Sequence, residues 1–228
     1  MSIQITTAKK TVHNQIKCLI FGNSGTGKTQ FSTGFDKGIV MDFESGLASA
    51  SNPDIAAINC KTARDFTESL IAIEESGDAY DTVIVDSLTS YGEKVWIALK
   101  SIYNDPSMGM RLWAEYDSTA RTKVDELLGI DKDIVVTMLE ENIIENMVSR
   151  QNIAFKAKKY TSTIPSLFDL VGHMGFNEEG KRVIDFKGND QRVGKNRYSN
   201  IGLPDIITED DELFSADAIF KFIRERMQ

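Results

Sequence analysis

Residues 16–29 read IKCLIFGNSGTGKT. An apolar, strand-like run stops at Gly22, and the pattern Gly-x-x-x-x-Gly-Lys-Thr follows at once, with a helix-forming segment behind it. That is the P-loop arrangement in its expected context. Gly22, Gly25 and Gly27 let the backbone curl where a side chain would obstruct it. A loop of Gly22, Asn23, Ser24, Gly25, Thr26, Gly27, Lys28 and Thr29 can then turn consecutive N–H groups onto a phosphate chain, and the helix that begins near Lys28 adds its positive end. Lys28 brings a point charge to the β- and γ-phosphates, and the Thr29 hydroxyl is spaced to ligate Mg²⁺. The stretch predicts a nucleoside triphosphate site.

Outward from this loop, apolar period and turn residues alternate between strand and helix. Residues 16–21 predict a buried strand, 28–34 a helix, 38–43 a second strand and 55–60 a short third one. Thr62, with Asp65 three residues on, predicts a helix start, and Ala63, Phe66, Leu70 and Ile73 mark its apolar face. Residues 82–85 predict a β-branched strand ending at Asp86, and a helix follows through about Ile102. A break at 104–110 precedes a helix over 111–129 and a strand over 134–138. Residues 143–165 are polar and weakly periodic and read as a loop. Short strands over 170–176, 182–187 and 192–197 follow, then an amphipathic helix over 215–227. With no repeat or linker, the economical reading is one domain over 1–228, with an N-terminal extension at 1–14 and a C-terminal tail and helix at 207–228.

Two further carboxylates fit the same chemistry. Asp86 closes the strand Thr82-Val-Ile-Val-Asp86, where it can hold Mg²⁺ beside the P-loop. Ser87 behind it either extends the water network or simply turns the chain. Glu44 follows the second strand, at the strand-end crevice where α/β sheets bind ligands, and a carboxylate there can activate a water for attack on the γ-phosphate. Asp42 alternates to the opposite face and is the second choice.

The chain of 228 residues suffices for one α/β domain with a sizeable core. No apolar run approaches a membrane span, and the first residues lack a signal-peptide core, which predicts a cytoplasmic protein with no membrane partner. Cys18 and Cys60 sit in strand-like runs and read as buried free thiols; His13 and His173 are too isolated for a metal site. Net charge is −8, yet Arg150–Asn200 carries ten Lys/Arg against five Asp/Glu. An acidic body with one basic stretch suits contact with a polyanion on one face, or with a neighbour's phosphates.

Gly22–Thr29, Glu44 and Asp86-Ser87 together resemble the RecA-like P-loop ATPase core. The phrases IVMDFESGL, TVIVDSLTSY, IPSLFDLVGHM and KNRYSNIGLPDII are similar, in order, to those of small phage nucleotide-binding proteins, AAA-annotated and thought to act in single-strand annealing. The resemblance spans about residues 15–206. It implies a mostly parallel central sheet flanked by helices, with a β-rich C-terminal extension of the sheet. It also implies ATP and Mg²⁺ as cofactors, a homo-oligomer (ring or filament), single-stranded DNA and possibly a single-strand DNA-binding protein as partners, and an infected bacterial cell as the setting. Lys195-Asn196-Arg197 is similar to the Lys-x-Arg element of RecA-like helicases and the RadA group, which implies that both cations reach a neighbour's γ-phosphate.

In related proteins the strand over 134–138 often ends in Gln or His, which senses the γ-phosphate. Here Thr137, Glu140 and Asn142 are all open for that role. Two loops would grip single-stranded DNA. Lys156, Lys158 and Lys159 supply phosphate affinity in the second, with Phe155 or Tyr160 to stack on bases. Arg111 serves in the first, and Trp113 beside it reads as core. The alternatives are a helicase-loader-type protein-binding module and a small P-loop kinase, which lacks here an Arg-rich lid and an acceptor pocket at a convincing spacing.

Overall fold

The computed structural model describes residues 15–145 and 148–227, with ten strands in one sheet and helices on both faces. In chain order these are β1 (Lys17–Gly22), α1 (Lys28–Ser32), β2 (Gly38–Asp42), β3 (Ala56–Asn59), α2 (Arg64–Glu75), β4 (Thr82–Asp86), α3 (Leu88–Ile102) and α4 (Gly109–Gly129). They continue with β5 (Asp133–Glu145), β6 (Val148–Ile153), α5 (Lys158–Thr161), β7 (Leu170–Phe176), β8 (Arg182–Asp185), β9 (Lys195–Asn196), β10 (Ile206–Thr208) and α6 (Ala216–Met227). The predicted extension at 1–14, with His13, lies outside the described residues.

The strand order is β10-β8-β7-β1-β5-β4-β2-β3. The run from β7 to β3 is parallel, whereas β8 and β10 add on antiparallel. This is a mostly parallel P-loop NTPase core with a β-rich extension at one edge, as predicted. β5 stands between the P-loop strand β1 and the Asp86 strand β4, so its residues look into the space between the two motifs.

Strand alternation sorts the core into two layers. Leu19, Phe21, Ile39, Met41, Val83, Val85, Ile134 and Val136 face α2, α3 and α4. Cys18, Ile20, Val40, Ile84 and Val135 face α1 and α6. Burial on both faces explains why β1 and β4 read as continuous apolar runs. At five residues α1 is far too short to be stable alone. It is held by Phe31 against Phe214, while Phe35 packs on Phe220 of α6 just behind it.

Several predicted elements are redrawn. The helix foreseen from Lys28 to Gly34 stops at Ser32. Thr62 does not cap α2; the Asp65 carboxylate instead accepts from Thr62 N, Thr62 Oγ1 and Lys61 N. The strand foreseen over 192–197 shrinks to Lys195–Asn196, and β10 was not foreseen at all. The largest change is at 143–165. β5 does not stop at Met138 but runs on and turns back as β6, pairing Glu140 with Ile153 and Ile143 with Arg150. Thr89, in the first turn of α3, fastens the base of this hairpin: its hydroxyl accepts from Leu139 N (3.0 Å) and donates to Ala154 O (2.9 Å).

Candidate nucleotide site

Gly22 ends β1 directly against β7, where an added Cβ would stand 2.1 Å from the Met174 carbonyl oxygen, so no other residue fits. The loop then turns through Gly25 and Gly27, at φ +82° and +95°, and Gly27 caps α1. Thr26 Oγ1 donates to Asn23 O (3.0 Å) across the turn. The Lys28 ammonium spans the loop, donating to Gly22 O (3.0 Å) and Asn23 O (2.7 Å). Burial draws its pKa below the ordinary lysine value, and the nearby carboxylates of Glu44, Asp86 and Glu140 oppose that shift.

Thr29 and Asp86 meet as the spacing predicts, Thr29 Oγ1 donating to Asp86 Oδ2 at 2.7 Å. The other Asp86 oxygen accepts from Thr137 Oγ1 on β5. Asp86 is 1% exposed. Burial raises its pKa, the hydroxyls of Thr137 and Thr29 pull it back, and Glu44 and Asp42 raise it further. A hydroxyl oxygen and a buried carboxylate in contact form the hard oxygen set that Mg²⁺ takes.

Glu44 stands exposed at the end of β2, held by two hydroxyls from the start of α3. Ser87 Oγ donates to Glu44 Oε1, and Ser90 Oγ donates to the same oxygen at 2.9 Å. Ser87 also accepts from Ser90 N and so caps α3, which fixes its place beside Asp86. Asp42 has another task. Its Oδ1 accepts from Glu44 N (3.0 Å) and Ser45 N (2.7 Å) and shapes the turn that carries Glu44. A loop for phosphates, an oxygen pair for a cation and a tethered carboxylate thus share one end of the sheet.

A family model described as an AAA domain matches residues 14–198. The chain belongs to the AAA domain family. It is a nucleotide-binding P-loop ATPase domain, and the match takes in the P-loop, Glu44, Asp86, Ser87 and Ser90. No curated protein matches the chain. Within this AAA domain, the three residues left open as phosphate sensor separate. Thr137 is buried on Asp86. Glu140 reaches the P-loop itself, its Oε1 accepting from Asn23 Nδ2 at 2.9 Å. Asn142 lies farther out, opposite Gln151 in the hairpin.

His173, read as isolated, is Glu140's second partner, with Nε2 to Oε2 at 2.7 Å. Arg192 Nη1 lies 3.4 Å from His173 Nδ1, and the same guanidinium pairs with Asp185. Arginine only donates, so the proton on the ring sits at Nε2 and points to Glu140. These partners come from β5, β7, β8 and the loop after β8, so no local motif announces them.

Lys195 and Arg197 are not in this chain's own site. Lys195 pairs with Val171 and Arg197 sits by Asp169, toward the starts of β7 and β1, whereas the P-loop lies at the strands' other end. Lys195 Nζ donates to Ser166 O (2.9 Å); burial first, then Arg197, lowers its pKa. Arg197 is 55% exposed, pairs with Asp169 Oδ1 at 2.7 Å and borders an open cleft with Lys17 and Tyr198.

The residues foreseen for DNA divide. Phe155 and Tyr160 are buried in the core and have no face to offer bases, which corrects that expectation. Trp113, foreseen as core, is 46% exposed and packs at a tilt of 42° against Trp96, with ring centroids 4.4 Å apart. Lys156 Nζ lies over Trp96 and pairs with Glu93 at 2.8 Å, so one groove holds Trp96, Trp113, Tyr116 and Lys156. Arg111 is in the first turn of α4 rather than in a loop, against the Tyr103 ring. Lys158 and Lys159 begin α5, and their side chains lie outside the described residues. Among the described residues, no helix is long and apolar enough to cross a membrane.

Proposed function

We propose that this AAA domain hydrolyses ATP with Mg²⁺ at a subunit interface and acts on single-stranded DNA, in annealing or strand pairing during phage recombination. The observation that carries the hydrolytic part is the tethered Glu44 beside the Thr29–Asp86 pair. The loop amides and Lys28 bind and orient the phosphates. Thr29 and Asp86 would hold Mg²⁺, which when bound offsets the charge of the terminal phosphates. Glu44, steadied by Ser87 and Ser90, accepts the proton of the attacking water. The DNA part is supported by the sequence resemblance, the basic segment at 150–200 and the groove where the Trp96–Trp113 pair meets Lys156, an aromatic and cationic pairing suited to unstacked bases.

ATP hydrolysis measured with and without single-stranded DNA, with particle size recorded alongside, tests the whole reading. Hydrolysis is expected to rise with DNA and particles to grow with ATP and Mg²⁺. A rate indifferent to DNA but raised by a replication protein would replace this reading with a helicase-loader role.

Completion of the site by a neighbour is tested separately. The Arg197–Asp169 bond is exposed and worth at most about 1 kcal/mol, so exchanging it for a phosphate costs little. Arg197→Ala alone is expected to lose hydrolysis. Mixed with Lys28→Ala subunits, which keep Arg197 but lack the P-loop charge, it should regain part of its rate. No recovery in the mixture would confine Arg197 to its own subunit.

A further inference from the structure

Beyond the phosphate loop, a second cluster touches the nucleotide site from the β8 side. Arg182 begins β8, and its guanidinium lies over the P-loop so closely that a Cβ on Gly27 would stand 2.9 Å from Nη1. Nη1 donates to Gln30 Oε1 at 2.5 Å, and Nε donates to Glu209 Oε2 at 2.7 Å. The guanidinium carbon sits 5.6 Å from the centroid of the Phe214 ring, and Phe214 in turn packs on Phe31 of α1. Arg182 is 28% exposed, as is Glu209. The family match ends at residue 198, so Glu209 and Phe214 lie outside it.

We propose that Arg182, backed by Phe214 and oriented by Glu209, is the platform on which the base of the bound nucleoside triphosphate stacks. The inference rests on the nucleotide reading of the P-loop. Asp86, Thr29 and Glu44 mark the terminal-phosphate end of the site on the β4 side. Gln30, one residue past Thr29, turns to the opposite flank and meets Arg182, so the nucleoside end of the ligand leaves over that pair. Charge decides what part of the ligand Arg182 meets. Its Nε bond to the Glu209 carboxylate, which lowers the pKa of Glu209, pairs the two charges, so the couple is close to neutral. A neutralised, planar group with an aromatic ring behind it suits a base face better than a phosphate. Glu209 is a positioning residue; Arg182 makes the contact.

The test compares ATP with inorganic triphosphate, each with Mg²⁺, by calorimetry on the full chain. Arg182→Ala is expected to weaken ATP binding about 10-fold and to leave triphosphate binding unchanged, in line with a single cation–π or stacking contact. Arg182→Lys keeps the charge and the Glu209 pair and guards against a folding defect. It should lose ATP affinity as the alanine variant does, since a point charge offers no face. Unchanged ATP affinity in Arg182→Ala, full recovery in Arg182→Lys, or equal loss of both ligands would each overturn the platform. Lys28→Ala must lose both ligands, and wild-type protein that binds neither would overturn the nucleotide site and the platform with it.

Discussion

Lys28→Ala is expected to lower ATP affinity on the order of 100-fold, about 3 kcal/mol, as truncating one member of a buried charged pair does. Glu44, Asp86 and Glu140 all act on the Lys28 ammonium electrostatically. With Lys28 gone, three carboxylates face an incoming polyanion without their counter-charge. The ammonium also ties Gly22 O to Asn23 O, so its removal loosens the loop that presents the amides. Calorimetric titration with ATP and Mg²⁺ measures the loss, and a thermal melt separates it from unfolding. Undiminished affinity in a folded variant would remove the P-loop from nucleotide binding.

Glu44→Gln separates turnover from binding. The glutamine keeps the size of the side chain, and its amide oxygen can still accept from Ser87 and Ser90. What it loses is the capacity to take a proton. Turnover should fall on the order of 10² to 10⁴-fold, the usual contribution of a positioned general base. ATP affinity should stay within a small factor of the wild type. Single-turnover measurement of phosphate release reads the first quantity, and titration under non-hydrolysing conditions reads the second. Wild-type turnover would leave Glu44 as a structural acceptor for the α3 cap and nothing more.

The parts of this site that were legible in the sequence are those encoded locally. Gly22 to Thr29 is one continuous stretch whose steric demands are visible residue by residue. Asp86 and Glu44 each follow a β-branched or apolar run that could only be a strand, and parallel strands deliver their ends to one crevice. The Glu140–His173 pair and the Arg182–Gln30–Glu209 cluster were not legible, because sheet order brings them together across separations of 27 to 152 residues. The β5–β6 hairpin was missed for a different reason. Past Leu139 the strand runs Glu140-Glu141-Asn142, three polar residues in a row with no apolar alternation to mark a strand. Phe155 and Trp113 were misjudged in opposite directions, since a single aromatic in a polar run does not say which face it takes. Phe155 has room because Gly92 lacks a side chain: a Cβ there would stand 2.8 Å from the Phe155 ring and 2.7 Å from the Tyr116 hydroxyl.

The long fifth strand has the build of a lever. One unbroken element carries Thr137 on Asp86, Glu140 on the P-loop asparagine, and then an arm that leaves the sheet. From Glu140 to Glu145 that arm is roughly 16 Å long at the usual rise of a strand. Thr89, bonded to both legs at the root, is the fulcrum. With those dimensions, a tilt of about 5° at the root moves the arm's end by about 1.4 Å. A shift of Asn23 or Asp86 would thus be enlarged along the hairpin, the surface that the proposed function would turn toward a DNA strand or a neighbouring subunit.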